Sequence, residues 1–337
     1  MKIAICASEV VPFAKTGGLA DVAGALPLAL EKEGQEVIIV LPRYKAVAGA
    51  KFGLKRLNSR VSYCVIGKNI KVYFIENDKY FKREGLYGDK HGDHKDNLER
   101  FAYYCRATLN LFKEIKFRPD IIHCHDWQAS LIPIYLKTAY ANDEFYAKAR
   151  SLLTVHNIGY QGIFPKEEFP KLELDWSLFD VNGLEYYGRI NILKGGLIFA
   201  DLINTVSPTY AKEIETEEFG FGLEGVLKER KSSVFGILNG LDYDIWNPQS
   251  DKFIAYNFSV SENSGKGKNK ATLQAACNLP QVKDVPLFGI VSRLAEQKGF
   301  DILAEGIDEI CKLSIQLVIL GTGEIRYHKI LEKIAKK

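Results

Sequence analysis

Short, wholly apolar runs alternate with stretches of helical length through the first 240 residues, and that alternation most narrows the folds open to the chain. The candidate strands are Lys2–Val10, Glu36–Leu41, Lys71–Glu76, Asp120–His123, Ser151–Val155, Asp201–Val206 and Val234–Leu238. Helix-like stretches at Leu19–Glu33, Asn97–Lys116, Trp127–Ala139, Ile190–Phe199 and Pro208–Glu215 fall between them. Runs such as Ile38-Ile39-Val40 and Leu152-Leu153-Thr154-Val155 lack the apolar/polar alternation of a half-exposed strand, as strands covered on both faces should. The pattern predicts an α/β fold with a doubly wound parallel sheet.

A chain of 337 residues is long for one such unit, so two domains are expected. Residues 1–240 form the first. Asp242–Gly267, with Asn247-Pro248 and the polar run Ser261-Glu262-Asn263-Ser264-Gly265-Lys266-Gly267, reads as part of a crossing over 241–267. A second series over 268–337 has helix Lys268–Asn278, strand Val285–Val291, helix Gly299–Leu313, strand Ile315–Leu320 and helix Glu324–Lys336. Two strands are few for an open sheet, so this domain is expected to be incomplete at Lys337.

Composition excludes several classes. A formal net charge of +3 gives no electrostatic case for nucleic acid or an anionic membrane. No apolar run approaches a membrane span, and the first residues lack the pattern of a signal peptide. Cys6, Cys64, Cys105, Cys124, Cys277 and Cys311 are scattered without CxxC spacing, four of them inside apolar segments. Buried free thiols and a cytoplasmic location are the expectation. His123, Cys124, His125 and Asp126 cannot converge on one ion if they alternate along a strand, and His91 and His94 lack a recognisable ligand spacing. No metal site is expected.

Between the first strand and the first helix lies Lys15-Thr16-Gly17-Gly18-Leu19-Ala20-Asp21-Val22. A Gly-Gly pair lets backbone approach a ligand closely, and the unpaired N–H groups of a helix start favour an anion. Lys15 adds a positive charge, and Asp21 lies about one helical turn inside. The turn suits a phosphorylated ligand; a tight turn with no ligand is the bland alternative.

Further loops follow the strand ends, where such sheets bind ligands. They are His125-Asp126-Trp127-Gln128-Ala129, then Thr154-Val155-His156-Asn157-Ile158-Gly159-Tyr160-Gln161-Gly162, then Asn204-Thr205-Val206-Ser207-Pro208-Thr209-Tyr210-Ala211. Ile237-Leu238-Asn239-Gly240-Leu241-Asp242 follows, with Trp246-Asn247-Pro248 close behind. The second domain offers Ser292-Arg293-Leu294-Ala295-Glu296-Gln297-Lys298-Gly299 and Gly321-Thr322-Gly323. In this order, with the lysine–glycine turn at the front, the chain resembles bacterial glycogen synthase and plant starch synthase from Met1 to Lys337.

That resemblance implies a retaining glucosyltransferase with two facing Rossmann-like domains, the glycosyltransferase B-type architecture. It implies transfer of glucose from ADP-glucose, or UDP-glucose, to the non-reducing end of an α-1,4-glucan, without cofactor or divalent ion. Lys15, Arg293 and Lys298 become candidates to stabilise the leaving diphosphate, together with the backbone at Gly17, Gly18, Gly321 and Gly323. His156 is implied beside the reacting sugar, with Asp126 and Asn157 as further sugar or acceptor contacts. Asp21 is assigned to the nucleotide or to capping its helix, and Asn239 to the sugar or to an Asn-Gly turn. The site is expected to draw on both domains and to close by a hinge.

No carboxylate pair stands out as acid and nucleophile, and a front-face displacement needs none. The resemblance also implies a Glu-x7-Glu segment at the donor sugar and ribose, whose expected place lies beyond Lys337. A non-catalytic glucan-binding or regulatory remnant is the competing reading. A sucrose-type transferase fits the architecture but not the Lys15–Val22 and His156–Gly162 segments. Tyr87, Trp127, Tyr160 and Trp176 are able to stack on sugar rings, but none is assigned to glucan binding.

Overall fold

A computed structural model describes residues 1–47, 49–89 and 92–336. The chain divides into two units, Met1–Gly240 and Leu241–Lys337. His91 and Lys337 lie outside the described residues.

The first unit is built on a nine-stranded sheet. Its strands are β1 (Lys2–Cys6), β2 (Glu36–Pro42), β3 (Lys55–Arg56), β4 (Val61–Ile66), β5 (Ile70–Ile75), β6 (Ile121–His125), β7 (Arg150–Val155), β8 (Leu202–Thr205) and β9 (Val234–Gly236). Their spatial order is β9-β8-β7-β6-β1-β2-β5-β4-β3. Every pairing from β9 across to β5 is parallel. Ile3, Ile5, Ile39, Val40, Leu41, Ile122, Leu153 and Val155 are buried, each worth on the order of 2 kcal/mol of hydrophobic stabilisation. The expected doubly wound α/β sheet is present. Its β4–β5 edge is antiparallel, a hairpin through Gly67 that the apolar-run pattern had not separated from β5.

The helices that bear on the site are α1 (Gly18–Lys32), α2 (Asn97–Glu114), α3 (Asp126–Ala129), α4 (Leu131–Lys137), α5 (Ile192–Phe199) and α6 (Pro208–Glu213). The single helix expected over Trp127–Ala139 is split at Ser130. Pro133 has no N–H for the carbonyl four residues back, and the Ser130 hydroxyl donates to the Asp126 carbonyl at 2.9 Å. The first strand is shorter than its apolar run, ending at Cys6. Ala7–Val10 stay buried but leave the sheet, because Ser8 and Glu9 find side-chain partners there.

The second unit contains α7 (Ser264–Ala276), β10 (Leu287–Val291), α8 (Phe300–Ile310), β11 (Gln316–Leu320) and α9 (Ile325–Ala335). β10 and β11 pair in parallel, and Leu294, Phe300 and Tyr327 form a small core beside them. Helix α7 starts earlier than expected, so Ser264–Gly267 is its first turn rather than loop. Among the described residues, no helix is long and apolar enough to cross a membrane.

Candidate active site

The strand order changes direction between β1 and β6: β2 lies on one side of β1, while β6 and the later strands lie on the other. Ligands of open α/β sheets bind beyond the carboxyl ends of the strands at such a switch point. Here the β1 end leads into Ala7–Gly17 and the β6 end into His125-Asp126, with the β7 end at His156-Asn157 beside it.

The glycine turn already holds an anion, and it belongs to the protein. The Glu9 carboxylate accepts the amide N–H groups of Thr16 and of Gly17, the latter at 3.2 Å, and the Thr16 hydroxyl at 2.6 Å. Tyr87 donates its hydroxyl to the same carboxylate at 2.6 Å. The N–H of Gly17, read from sequence as open to a phosphate, is therefore engaged inside the chain. Lys15 pairs with Asp21 at 2.7 Å on the surface, which explains Asp21 without a helix cap. A Cβ added at Gly17 or Gly18 meets nothing within 4 Å, and neither residue has a positive φ. Packing in the chain thus gives no reason for glycine there, and the space before the turn is open.

Three histidines meet at the ends of β6 and β7. His123 and His125 share a face of β6, their rings 4.2 Å apart and tilted 30°. His156, arriving from β7, places Nε2 3.0 Å from Nδ1 of His125. His123 Nε2 lies 2.6 Å from the Thr154 hydroxyl, which donates to Asn204 Oδ1 at 2.5 Å. Burial pulls all three imidazoles down: His156 to about 4, His123 to about 3, and His125 well below its ordinary range. They are neutral at pH 7. Stacked rings do not converge on one point, and among the described residues no group of three or more His, Cys, Asp or Glu is arranged to hold a metal ion.

Asp126 sits at the start of α3 with φ of 54°, in the left-handed region that aspartate tolerates better than most residues. Its Oδ1 accepts the His156 amide at 2.7 Å, tying the end of β6 to the end of β7. Burial pushes its carboxyl up to about 7, against the lowering effect of the His156 and Asn157 amides. Asn157 turns its own Oδ1 to the Gly159 amide at 3.0 Å. Asn239 is exposed after β9 in an open stretch, so turn formation does not account for it. Trp127 packs against Phe101 and Phe164 in the core, away from any stacking role.

In the second unit Arg293 and Lys298 are both exposed, in the segment that joins β10 to α8. Gly321 and Gly323 have a local reason. A Cβ on them would come within 2.0 Å of the Ser292 carbonyl and 2.2 Å of the Leu294 carbonyl. The 321–324 backbone runs against 292–294, with Leu294 N–H donating to the Thr322 carbonyl at 2.9 Å and Glu324 N–H to the Leu294 carbonyl at 2.8 Å. Glycine there seats one loop on the other.

Sequence reasoning passed over Glu9, and it placed His125 in a loop motif and as a doubtful metal ligand without giving it a role of its own. A lone carboxylate inside the apolar run Lys2–Val10 was the available signal for Glu9. For His125 it was the period-two repeat with His123.

A doubly wound sheet with neutral imidazoles and a cation-bearing glycine turn at its switch point defines an α/β ligand-binding scaffold. Residues 2–229 match the starch synthase catalytic domain family. The chain is 47% identical to a glycogen synthase of Geotalea daltonii, covering 99% of this chain and 72% of that one. A glycogen synthase of Thermotoga maritima is 41% identical, with 100% and 72% covered. The catalytic domain of starch synthase IV from Arabidopsis thaliana, bound to ADP and acarbose, superposes with a TM-score of 0.89 at 32% identity, covering 99% of this chain and 71% of that one. Sucrose-phosphate synthase from Thermosynechococcus elongatus shares the fold at a TM-score of 0.55 and 16% identity, covering 99% of this chain and 67% of that one. The chain belongs to the glycogen and starch synthase family and is a glycosyltransferase.

Proposed function

We propose that the protein transfers glucose from ADP-glucose to the non-reducing end of an α-1,4-glucan, with retention of configuration, in glycogen synthesis. The observation that carries this reading is the neutral, half-buried His156 at the switch point, tied through its amide to Asp126. A neutral, fixed imidazole with a pKa of about 4 is able to hydrogen-bond a sugar hydroxyl at pH 7. The ADP bound to the related starch synthase IV supports adenine over uracil as the donor base.

Departure of ADP builds negative charge on phosphate oxygen. Lys15, Arg293 and Lys298 are the side chains we assign to it, with Arg293 able to bind two oxygens at once. These cations take the part a divalent ion plays elsewhere, so we propose that no metal or other cofactor is needed. The open space before Gly17 and Gly18 lets a ligand approach the backbone. The leaving phosphate takes the acceptor's proton on the face from which it departs, so no carboxylate nucleophile is assigned. Six unpaired thiols fit a reducing, cytoplasmic location.

The test is incorporation of labelled glucose into glycogen by purified protein, with ADP-glucose and UDP-glucose in parallel and with a chelator present. Faster incorporation from ADP-glucose, undiminished by chelation, is expected. A preference for UDP-glucose would overturn the donor assignment, and no incorporation from either would overturn the reading.

A further inference from the structure

His125 has no place yet in the reaction, although it touches the residue assigned to the sugar. Its Nδ1 lies 3.0 Å from His156 Nε2, so one ring must donate to the other. Its other nitrogen, Nε2, is buried without a hydrogen-bond partner among the described residues. Were His156 the donor, neutral His125 would carry its proton on that enclosed Nε2, leaving an orphaned N–H. Buried orphan N–H groups are the rarer and costlier defect. With the proton on Nδ1, His125 makes its one donor bond and leaves only a lone pair facing apolar surroundings.

The ring is held in this orientation from behind. The Thr154 hydroxyl gives its only hydrogen to Asn204 Oδ1, so His123 Nε2, 2.6 Å from the same oxygen, must be the donor of that pair. His123 is thereby fixed as its Nε2-protonated form, and its ring lies against the face of His125. The strand register places these groups side by side: His125 pairs with Thr154, and Thr154 with Asn204, across β6, β7 and β8.

We infer that His125 is a positioning residue whose Nδ1–H donates to Nε2 of His156, fixing His156 as the Nδ1-protonated tautomer so that it meets a sugar oxygen as a donor. The donor role toward the sugar rests on the reading of His156 given above; the tautomer does not. The direction of hydrogen bonding to the glucose hydroxyl is thus set two residues away from the sugar, because the hydrogen bond at one imidazole nitrogen decides the state of the other.

Side-chain nitrogen–proton correlation spectra of histidine-labelled protein near pH 7 test this directly, and six histidines make the spectrum tractable. The wild type should show His156 protonated at Nδ1 and bare at Nε2. His125→Leu should release that bias and lower kcat/KM about tenfold, the equivalent of one net hydrogen bond. His125→Asn, whose amide N–H reaches the Nδ1 position, should restore both the tautomer and most of the rate. An Nε2-protonated His156 in the wild type would overturn the inference, even if both variants failed to fold. So would an Nδ1-protonated His156 that persists in folded His125→Leu. Full activity in His156→Ala would instead remove the sugar-contact reading and leave the tautomer to the spectra.

Discussion

The carboxylate of Glu9 accepts the amide of Gly17 at 3.2 Å, and so tethers the glycine turn from inside the chain. It is shared with Thr16 and Tyr87, so one buried carboxylate joins the turn after β1 to the segment before α2. Glu9→Ala should destabilise the protein by about 2 kcal/mol, since it strands several donors to a charged acceptor. It should also raise KM for ADP-glucose, because the turn loses its tether. Denaturant unfolding and initial rates check both. Tighter donor binding in Glu9→Ala would show that Glu9 competes with the ligand's phosphate for these amides.

The glycines of the two units should respond oppositely to a single methyl group. Gly18→Ala places its Cβ in open space at the first position of α1, where alanine is the better helix former by up to about 1 kcal/mol. Stability should hold or rise while kcat/KM falls, because the methyl group takes up room assigned to the ligand. Gly323→Ala drives a Cβ to 2.2 Å from the Leu294 carbonyl and should cost about 1–3 kcal/mol by overpacking. Thermal unfolding of both variants separates the cases. A marked loss of stability in Gly18→Ala would show that glycine is needed there for folding.

Lys15 and Asp21 form an exposed pair, which contributes little to stability. Lys15→Gln should therefore shift unfolding by less than about 0.5 kcal/mol, yet lower kcat/KM for ADP-glucose. Asp21→Asn leaves Lys15 without its counter-charge, and should change donor affinity with a steeper salt dependence than wild type. Equal kcat/KM in wild type and Lys15→Gln would remove Lys15 from the assigned phosphate contacts.

The three neutral histidines give the fold an acid-sensitive side. Each has a folded pKa below its ordinary 6.5, so its contribution is fully present above pH 6.5 and is lost as pH falls toward the folded values, about 4 for His156 and about 3 for His123. Asp126 runs the other way. Raised from 3.8 to about 7, it contributes most below pH 3.8, and that contribution is lost as pH rises through 7. Around pH 5 the three imidazoles outweigh the one carboxyl. Stability should fall on acidification from pH 6.5, with each imidazole adding at most about 1.36 kcal/mol per pH unit to the slope and Asp126 opposing them. Urea midpoints between pH 4.5 and 7 measure it, and a flat profile would contradict neutral burial.

The sheet was legible because parallel strands covered on both faces must be apolar throughout, as Ile38–Val40 and Leu152–Val155 are. The β4–β5 hairpin was not, since it belongs to an edge with its own antiparallel pairing. The turn at Lys15–Gly18 could be found from its residues, but not that Glu9 would fold back on it, a contact made only once Ala7–Val10 leave the sheet. Strand alternation correctly separates His123 and His125 from Cys124. It carries no register between β6 and β7, and so could not bring His156 to His125. At Gly321 and Gly323 a neighbouring backbone lies close, and a Gly-x-Gly after a strand has the same spelling whether it serves that packing, a phosphate or both.

Arg293 and Lys298 provide the sharpest division between folding and chemistry. Both are exposed residues in the segment after β10, so replacing either should leave the unfolding transition within about 0.5 kcal/mol of wild type. The proposed reaction asks each to stabilise charge that grows as the glucosyl–phosphate bond breaks. Removing a fixed donor to such charge costs roughly 100-fold in kcat or more. Arg293→Ala and Lys298→Ala should therefore lose activity chiefly in kcat, with smaller changes in the KM for ADP-glucose. Arg293→Lys should recover only a fraction, since an ammonium group cannot hold two phosphate oxygens in the fork of a guanidinium. Steady-state kinetics of the three variants, beside their melting curves, decide the assignment. A rise in KM at constant kcat would place these cations in ground-state binding of the nucleotide and leave the growing charge to other groups.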